Sequence, residues 1–263
     1  MSGLVLRLAG LLQSYGERGV FHYRDTTAFP TRSALIGMFA AAQGRTREHA
    51  LDPYTQLPGE PSHSDLTFTI RIDQPGTPYR DFHTVGGGYP RDKQLLTGNG
   101  KRRKEAASTL VSRRDYLTGA VFTVAVEGPD PLIAHIAETL NEPHFGLFLG
   151  RRTCIPDEPL VITPHTLHPV TDLLTRVPLT QSKPPRDTTT HLPTTFVWEH
   201  PPPTASATYP DRESNSEPTD LTSSARRYLP RPLWLTTEQL PAHLYAGPRP
   251  IDALATYMLG EPA

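Results

Sequence analysis

The 263-residue chain has one cysteine, Cys154, which excludes an internal disulfide, a CxxC redox pair and any zinc site built from cysteines, and fits a reducing compartment. No apolar run approaches the roughly 18 residues a membrane helix needs, and the opening MSGLVLRLAG has no basic stretch leading into an apolar one. These absences predict a soluble, cytoplasmic protein without membrane contact. Motifs of covalent chemistry are also lacking: there is no GxSxG and no HExxH, and no GK[ST] follows Gly86, Gly87 and Gly88. The 11 histidines are scattered, and His165 and His168, which are close together, have no carboxylate-rich partner motif. No catalytic residue, metal site or cofactor is expected.

What the chain does have is proline, 29 residues of it, and a concentrated patch of positive charge. The overall balance is near neutral, with 26 Lys+Arg against 27 Asp+Glu. Residues 91–114 nevertheless hold eight basic side chains (Arg91, Lys93, Lys101, Arg102, Arg103, Lys104, Arg113, Arg114) against Asp92 and Glu105, a local +6. A short basic block in a near-neutral chain is the footprint of a phosphate contact; the plainer reading is a solvated loop.

Periodicity organises the chain from Leu4 as far as Ile162. Leu4 to Ala9 read as a buried strand with Arg7 turned toward a polar surface, and Pro30 to Gly44 read as a helix with Leu35, Ile36, Phe39 and Ala40 on one face. Leu66, Phe68, Ile70 and Ile72 alternate with polar residues as a strand with one apolar face, and Ala120 to Val126 form another strand. A helix opens at Pro131 with Leu132, Ile133, Ile136 and Leu140 on one side, and a last strand falls at Leu160 to Ile162. This order is the split βαβ of a ferredoxin-like (RRM-like) α+β domain, expected over residues 1–177. More than forty residues separate its second and third strands, and they carry the whole basic block, so a functional arm is expected there. The stretch from Pro178 to Pro232 contains 11 Pro and 10 Thr, which predicts that residues 178–263 form a degenerate, loop-rich region with at most scraps of sheet near Thr194 to Glu199 and Pro232 to Thr236.

Three further places have the residue types that hold RNA: Gln13, Ser14 and Tyr15 in the loop after the first strand; Thr31, Arg32 and Ser33 at the helix start; and Gly150, Arg151 and Arg152. Taken singly they read as a turn, a helix cap and a surface arginine pair. Together with the basic arm they favour nucleic acid.

Five segments carry a resemblance. LRLAGLLQSYG (6–16), FPTRSALIGMFAAAQG (29–44), RDFHTVGGG (80–88), SRRDYLTGAVFTVAV (112–126) and FGLFLGRRTCIPDEPL (145–160) are similar, in order, to the CasD subunits of type I-E CRISPR Cascade complexes, members of the RAMP superfamily. The resemblance implies a ferredoxin-like body with a long β-hairpin thumb at about 79–117. It implies a non-catalytic subunit in antiviral defence that holds the 5′ handle of the CRISPR RNA and joins the large subunit to the adjacent backbone subunit, meeting target DNA only through the complex. The residues it points to for RNA are Gln13, Ser14, Tyr15, Thr31, Arg32, Ser33, Gly150, Arg151 and Arg152, with Lys101, Arg102, Arg103, Arg113 and Arg114 on the thumb. Leu11 and Leu12 depart from the family, which often has a proline there, and so does Tyr15, which stands where tryptophan is common. In a related system the equivalent subunit is a metal-independent endoribonuclease that processes repeat RNA, and His83, Tyr89 and Lys93 have the residue types for that chemistry. A third reading is a scaffold whose basic arm meets an acidic protein.

Overall fold

The computed structural model of the chain describes residues 2–20, 22–87, 90–93, 96–97, 99–101, 109–181, 184, 190–202, 209–222 and 226–260. Its centre is a seven-stranded, wholly antiparallel sheet built from β1 (Ser2–Ala9), β5 (Thr67–Gln74), β8 (Val121–Gly128), β9 (Val161–Thr166), β10 (His191–Trp198), β11 (Arg212–Asp220) and β12 (Arg227–Pro241). The spatial order is β11-β12-β10-β5-β8-β1-β9. Helices α1 (Arg32–Ala42) and α2 (Asp130–Asn141) cover one face, where Leu4, Leu6, Leu8, Leu35, Phe39, Phe68, Phe122, Ile133 and Ile136 form the main core. Helices α3 (Pro169–Thr175) and α4 (Pro250–Leu259) cover the other, over Val5, Ala125, Ile162, Phe196 and Trp198. All six elements expected between Leu4 and Ile162 are present. Each fully buried Leu or Phe contributes about 1.5–3 kcal/mol of transfer free energy.

Two side-chain placements differ from the sequence reading, for one reason: the sheet is covered on both faces. Arg7 is buried, and burial pushes its pKa down against the opposing pull of Asp157 and Asp73. Arg71 has no exposed surface and grips Asp73 (Nε to Oδ1, 2.7 Å) while donating to the carbonyls of Leu173, Val177 and Pro178 at 2.7–2.9 Å. It thereby ties the end of α3 to the polar rows of β5 and β8.

The proline-rich half is also more ordered than its composition suggests. Among the described residues no boundary falls at 177: β10 pairs with β5 (Val197 opposite Ile70), β12 pairs with β10 along eight residues, and Val197 and Leu233 enter the main core. Prolines hid these strands because a proline cannot donate to a ladder. Pro218 is accommodated on edge strand β11 and Pro230 where the register with β12 shifts between Ser214 and Glu217, while Pro193 lies on β10 before its pairing with β5 begins and Pro232 on β12 before its pairing with β10 begins.

The insertion between β5 and β8 forms a second, smaller sheet. β6 (Thr77–Gly86) and β7 (Thr109–Thr118) pair antiparallel over ten residues, from Thr77 opposite Thr118 to Gly86 opposite Thr109. β2 (Leu12–Gln13) pairs antiparallel with the base of β7, β4 (Tyr23–Arg24) runs parallel to its middle, and β3 (Gly19–Val20) pairs with β4. Arg80 (Nε to Asp115 Oδ1, 2.7 Å) and the Tyr23 hydroxyl both bond Asp115, which holds its carboxyl below the usual range and locks β4 to the hairpin.

Candidate nucleic-acid interface

The loop after β1 is packed from within. Gln13 is fully buried and its amide donates to the carbonyls of Leu8 (3.2 Å) and Ala120 (2.7 Å). Its Oε1 accepts from the Tyr15 hydroxyl at 2.7 Å. The Tyr15 ring is 2% exposed and meets Phe122 edge-on, and burial pushes its phenol well above the usual range. Ser14 donates through Oγ to the carbonyl of Asp115 (2.9 Å) and through its N–H to that of Leu149 (3.1 Å). Gly150 then passes so close that a Cβ there would lie 1.8 Å from the Ser14 carbonyl oxygen, at a φ of +89°. Only glycine fits that crossing. Arg151 completes the joint: it donates to the carbonyls of Asp115, Arg24 and Asp25 at 2.9–3.1 Å and lies 4.8 Å from the Tyr116 ring centroid.

This knot shapes one side of an open groove of about 1380 Å³, larger than the roughly 300–1,000 Å³ usual for a small-molecule site. Of the residues the sequence reading assigned to RNA, Ser14, Tyr15, Thr31, Ser33, Gly150, Arg151 and Arg152 border it. Six arginines line it (Arg24, Arg45, Arg47, Arg151, Arg152, Arg226) against two acids. Both acids are occupied: Asp25 accepts from the Arg18 N–H, and Glu17 pairs with Arg212 (3.1 Å). Arg24, Arg47, Arg152 and Arg226 are exposed and, among the described residues, make no side-chain hydrogen bond or ion pair. The floor along α1 is made of small residues, Ala34, Gly37 and Ala41, with open space where a Gly37 Cβ would stand. Unpaired cations over a shallow floor suit a polyanion better than a compact ligand.

A family model described as CRISPR-associated protein (Cas5) matches residues 3–243. The chain belongs to the Cas5 family. It is 30% identical over 172 residues to the CRISPR system Cascade subunit CasD of Escherichia coli K12, covering 61% of this chain and 70% of that one. Its fold matches a chain of a CRISPR RNA-guided surveillance complex with a TM-score of 0.85 and 38% identity, over 98% of this chain and 99% of the other. A crystal structure of a Cas protein, at 24% identity and a TM-score of 0.58, shares the fold over 92% of this chain and 97% of that one.

Five of the expected contacts need correction within this Cas5 frame. Gln13 has no surface to offer, and Tyr15 has no free stacking face, because both sit in the joint between the two sheets. Arg32 is 3% exposed: it donates to the carbonyls of Leu66 (2.8 Å) and Ser64 (3.0 Å) and pairs with Glu199 (3.0 Å) and Glu217 (2.8 Å). Its helix position turns inward, and Thr31 (4% exposed) and Ser14 (2% exposed) are closed off as well, so Ser33, half-buried, is the member of the helix start that reaches the groove. Lys101, Arg113 and Arg114 lie on the hairpin and do not border the groove, and Arg102 and Arg103 lie outside the described residues. Of the alternative catalytic set, His83 pairs with Asp81 (3.0 Å), Lys93 is exposed, and Tyr89 lies outside the described residues. No three His, Cys, Asp or Glu side chains gather at metal-binding distance among the described residues, and no described helix is long and apolar enough to cross a membrane.

The sequence reading missed Arg24, Arg47, Asn215, Arg226 and Tyr228. Arg24 and Arg47 are isolated in sequence, and the other three sit in the proline- and threonine-rich half, where no strand was expected to carry them to α1. The signal available was Arg226-Arg227-Tyr228, a basic-aromatic cluster of the type that grips single-stranded RNA.

Proposed function

We propose that this Cas5-family chain is a non-catalytic subunit of a type I-E Cascade complex: it holds the 5′ handle of the CRISPR RNA and joins the large subunit to the adjacent backbone subunit. In this reading β1, β5, β8 and β9 with α1 and α2 are the ferredoxin-like body, and the β6–β7 hairpin is the thumb. Target DNA is met only through the assembled complex, and no metal or cofactor takes part. The observation that carries the reading is the groove lined by six arginines, four of them without a side-chain partner among the described residues, beside the loops after β1 and before β9. Phosphates supply affinity through those arginines, while Ser33, half-buried at the start of α1, supplies a shorter-range contact to a splayed nucleotide. The buried joint around Gln13, Tyr15 and Arg151 keeps these groups in place without touching the ligand.

The test uses the chain coexpressed with its genomic neighbours and a CRISPR array. Replacing Arg24, Arg47 and Arg152 by Gln is expected to weaken RNA retention and to flatten its salt dependence by roughly 0.7 log units per log unit of salt for each phosphate released. Retention and slope equal to the parent's would overturn the assignment. The full chain alone, incubated with unprocessed repeat RNA in EDTA, is expected to leave the RNA intact. Site-specific cleavage would make the protein a processing ribonuclease and move the chemistry to His83, Tyr89 and Lys93.

A further inference from the structure

The groove has a border that neither the basic arm nor the loop knot supplies. β11 and β12 form a hairpin packed against α1, and Asn215, Arg226 and Tyr228 of this hairpin border the same groove as Arg152 and Gly37. Two charged ties fix it there. At one end Glu17, only 8% exposed at its side chain, pairs with Arg212 and accepts from the Asn215 N–H, so the loop after β1 grips β11 directly. At the other, Glu217 and Arg231 of the hairpin bond each other and join Arg32 and Glu199 in a four-membered network at the start of α1. The two ties make the hairpin part of the body and hold at the groove Tyr228, 39% exposed, and Arg226, which has no side-chain partner among the described residues.

We propose that the β11–β12 hairpin is the second side of the RNA groove, with Tyr228 stacking on one unstacked base of the bound single strand, Arg226 contacting a phosphate, and Glu17 acting as the positioning residue. An aromatic face beside an unpaired guanidinium is the pairing that grips single-stranded RNA without reading its sequence. Of the groove's other rings, Tyr15 is committed to the core, Phe148 is half-buried, and Phe145, 50% exposed, stands on the segment before β9. Tyr228 supplies the ring on the hairpin side. The inference rests on the RNA-holding function proposed above, and the controls below separate a failure of one from a failure of the other.

In the assembled, RNA-loaded complex, Tyr228→Ala is expected to lower retention of the CRISPR RNA by roughly ten- to a hundredfold, the range for losing one base-aromatic stack, with the salt slope unchanged. Tyr228→Phe keeps the ring and is expected to restore retention. Arg226→Gln is expected to reduce the slope by about 0.7 without removing the stacking contribution. Glu17→Gln is expected to weaken retention in the parent background and to change it little once Tyr228 is alanine, a coupling that a general loss of stability would not produce. Each variant is melted alongside, and photocrosslinking from 4-thiouridine placed along the bound RNA reports which nucleotide meets Tyr228. If the Arg24, Arg47 and Arg152 substitutions release RNA while the Tyr228 and Arg226 variants retain it with the parent's slope, the hairpin assignment is wrong and the groove stands. If Tyr228→Ala instead releases a protein subunit with the RNA still protected, the hairpin is a protein contact and the proposal falls. If none of the substitutions moves RNA retention, both readings fall together.

Discussion

Replacing Arg32 by alanine separates two roles that look alike in sequence. As an RNA contact, its loss would weaken binding in a folded protein; as folded, it is the hub of a buried network. Its Nη1 lies 2.8 Å from the Leu66 carbonyl and 3.0 Å from Glu199, its Nη2 3.0 Å from the Ser64 carbonyl, and its Nε 2.8 Å from Glu217 at an angle too oblique for a hydrogen bond. Removing it leaves Glu199 and Glu217, the first 6% exposed, sharing Arg231 as their cation among the described residues, with the Phe68 N–H as the further donor to Glu199. Breaking such a pair costs about 3–5 kcal/mol. At roughly 2–4 °C per kcal/mol for a chain of this size class, the melting temperature is expected to fall by about 10 °C. Thermal unfolding followed by circular dichroism measures this, and RNA retention per folded molecule at low temperature is expected to keep the parent's salt slope. Because the penalty comes from stranded carboxylates, Arg32→Met combined with Glu199→Gln is expected to destabilise less than the two single changes added together. A parent-like melting temperature with a flattened salt slope would refute the reasoning and return Arg32 to the RNA.

Gly150→Ala is expected to lower the melting temperature and RNA retention together, since it adds a 1.8 Å clash to a φ of +89° that alone costs about 1–2 kcal/mol, whereas Gly37→Ala, with open space at its Cβ, is expected to leave stability equal or higher. Parent-like melting of the Gly150 variant would remove the crossing from the account. Neighbouring arginines should separate as well: Arg151→Ala strips the donor from three carbonyls and uncovers the Tyr116 ring and is expected to destabilise, while Arg152→Ala leaves melting unchanged and reduces the RNA salt slope. His63 gives the pH test. Burial, chiefly, lowers its pKa to about 4, with Nδ1 bonded to the Ala50 carbonyl at 2.7 Å. The unfolded chain binds a proton near pH 6.5 that the folded one takes up only near 4, so stability is full above 6.5 and is lost as pH falls toward 4, by about 2 kcal/mol at pH 5. Denaturant titrations from pH 7.5 to 5 should show that slope, and His63→Gln should remove it.

The order of elements between Leu4 and Ile162 was legible because each carries an unmixed period: Leu4, Leu6 and Leu8 for β1, Leu35, Ile36 and Phe39 for α1, Phe68 and Ile70 for β5. The second half was not, because its strands are built from residues that composition assigns to loops. Thr194 and Ser214 are buried in a sheet here, and Pro218, Pro230 and Pro232 sit where an edge or a shifted register needs no N–H from them. A count of prolines cannot tell an edge strand from a loop, since that depends on which neighbour pairs with it. Arg7 and Arg71 escaped for the related reason that much of what surrounds them is distant in sequence: Asp157 for the first, and the carbonyls of α3 and the chain after it for the second.

The candidate site was legible as a neighbourhood and not as a set of contacts. Chemistry assigns a residue type to a role, but the helical or loop phase decides which member of a run has it. Ser33 reaches the groove and Arg32 before it faces the core; Arg152 has no side-chain partner among the described residues and Arg151 beside it is consumed by three carbonyls. A polar residue that sequence alone marks for a ligand is therefore as often the part that builds the surface as the part that uses it. In this chain the buried members are the ones that cross between elements: Gln13 from β2 to the strand ends at Leu8 and Ala120, Arg32 from α1 to β11 and the Glu199 that follows β10, Glu17 from the first loop to the hairpin. Each directs its hydrogen bonds into the protein, and what that leaves at the surface is a groove whose open arginines come from β4, the segment after α1, the loop before β9 and the C-terminal hairpin. The groove exists only in the folded chain, because no two of those four sources are neighbours in sequence.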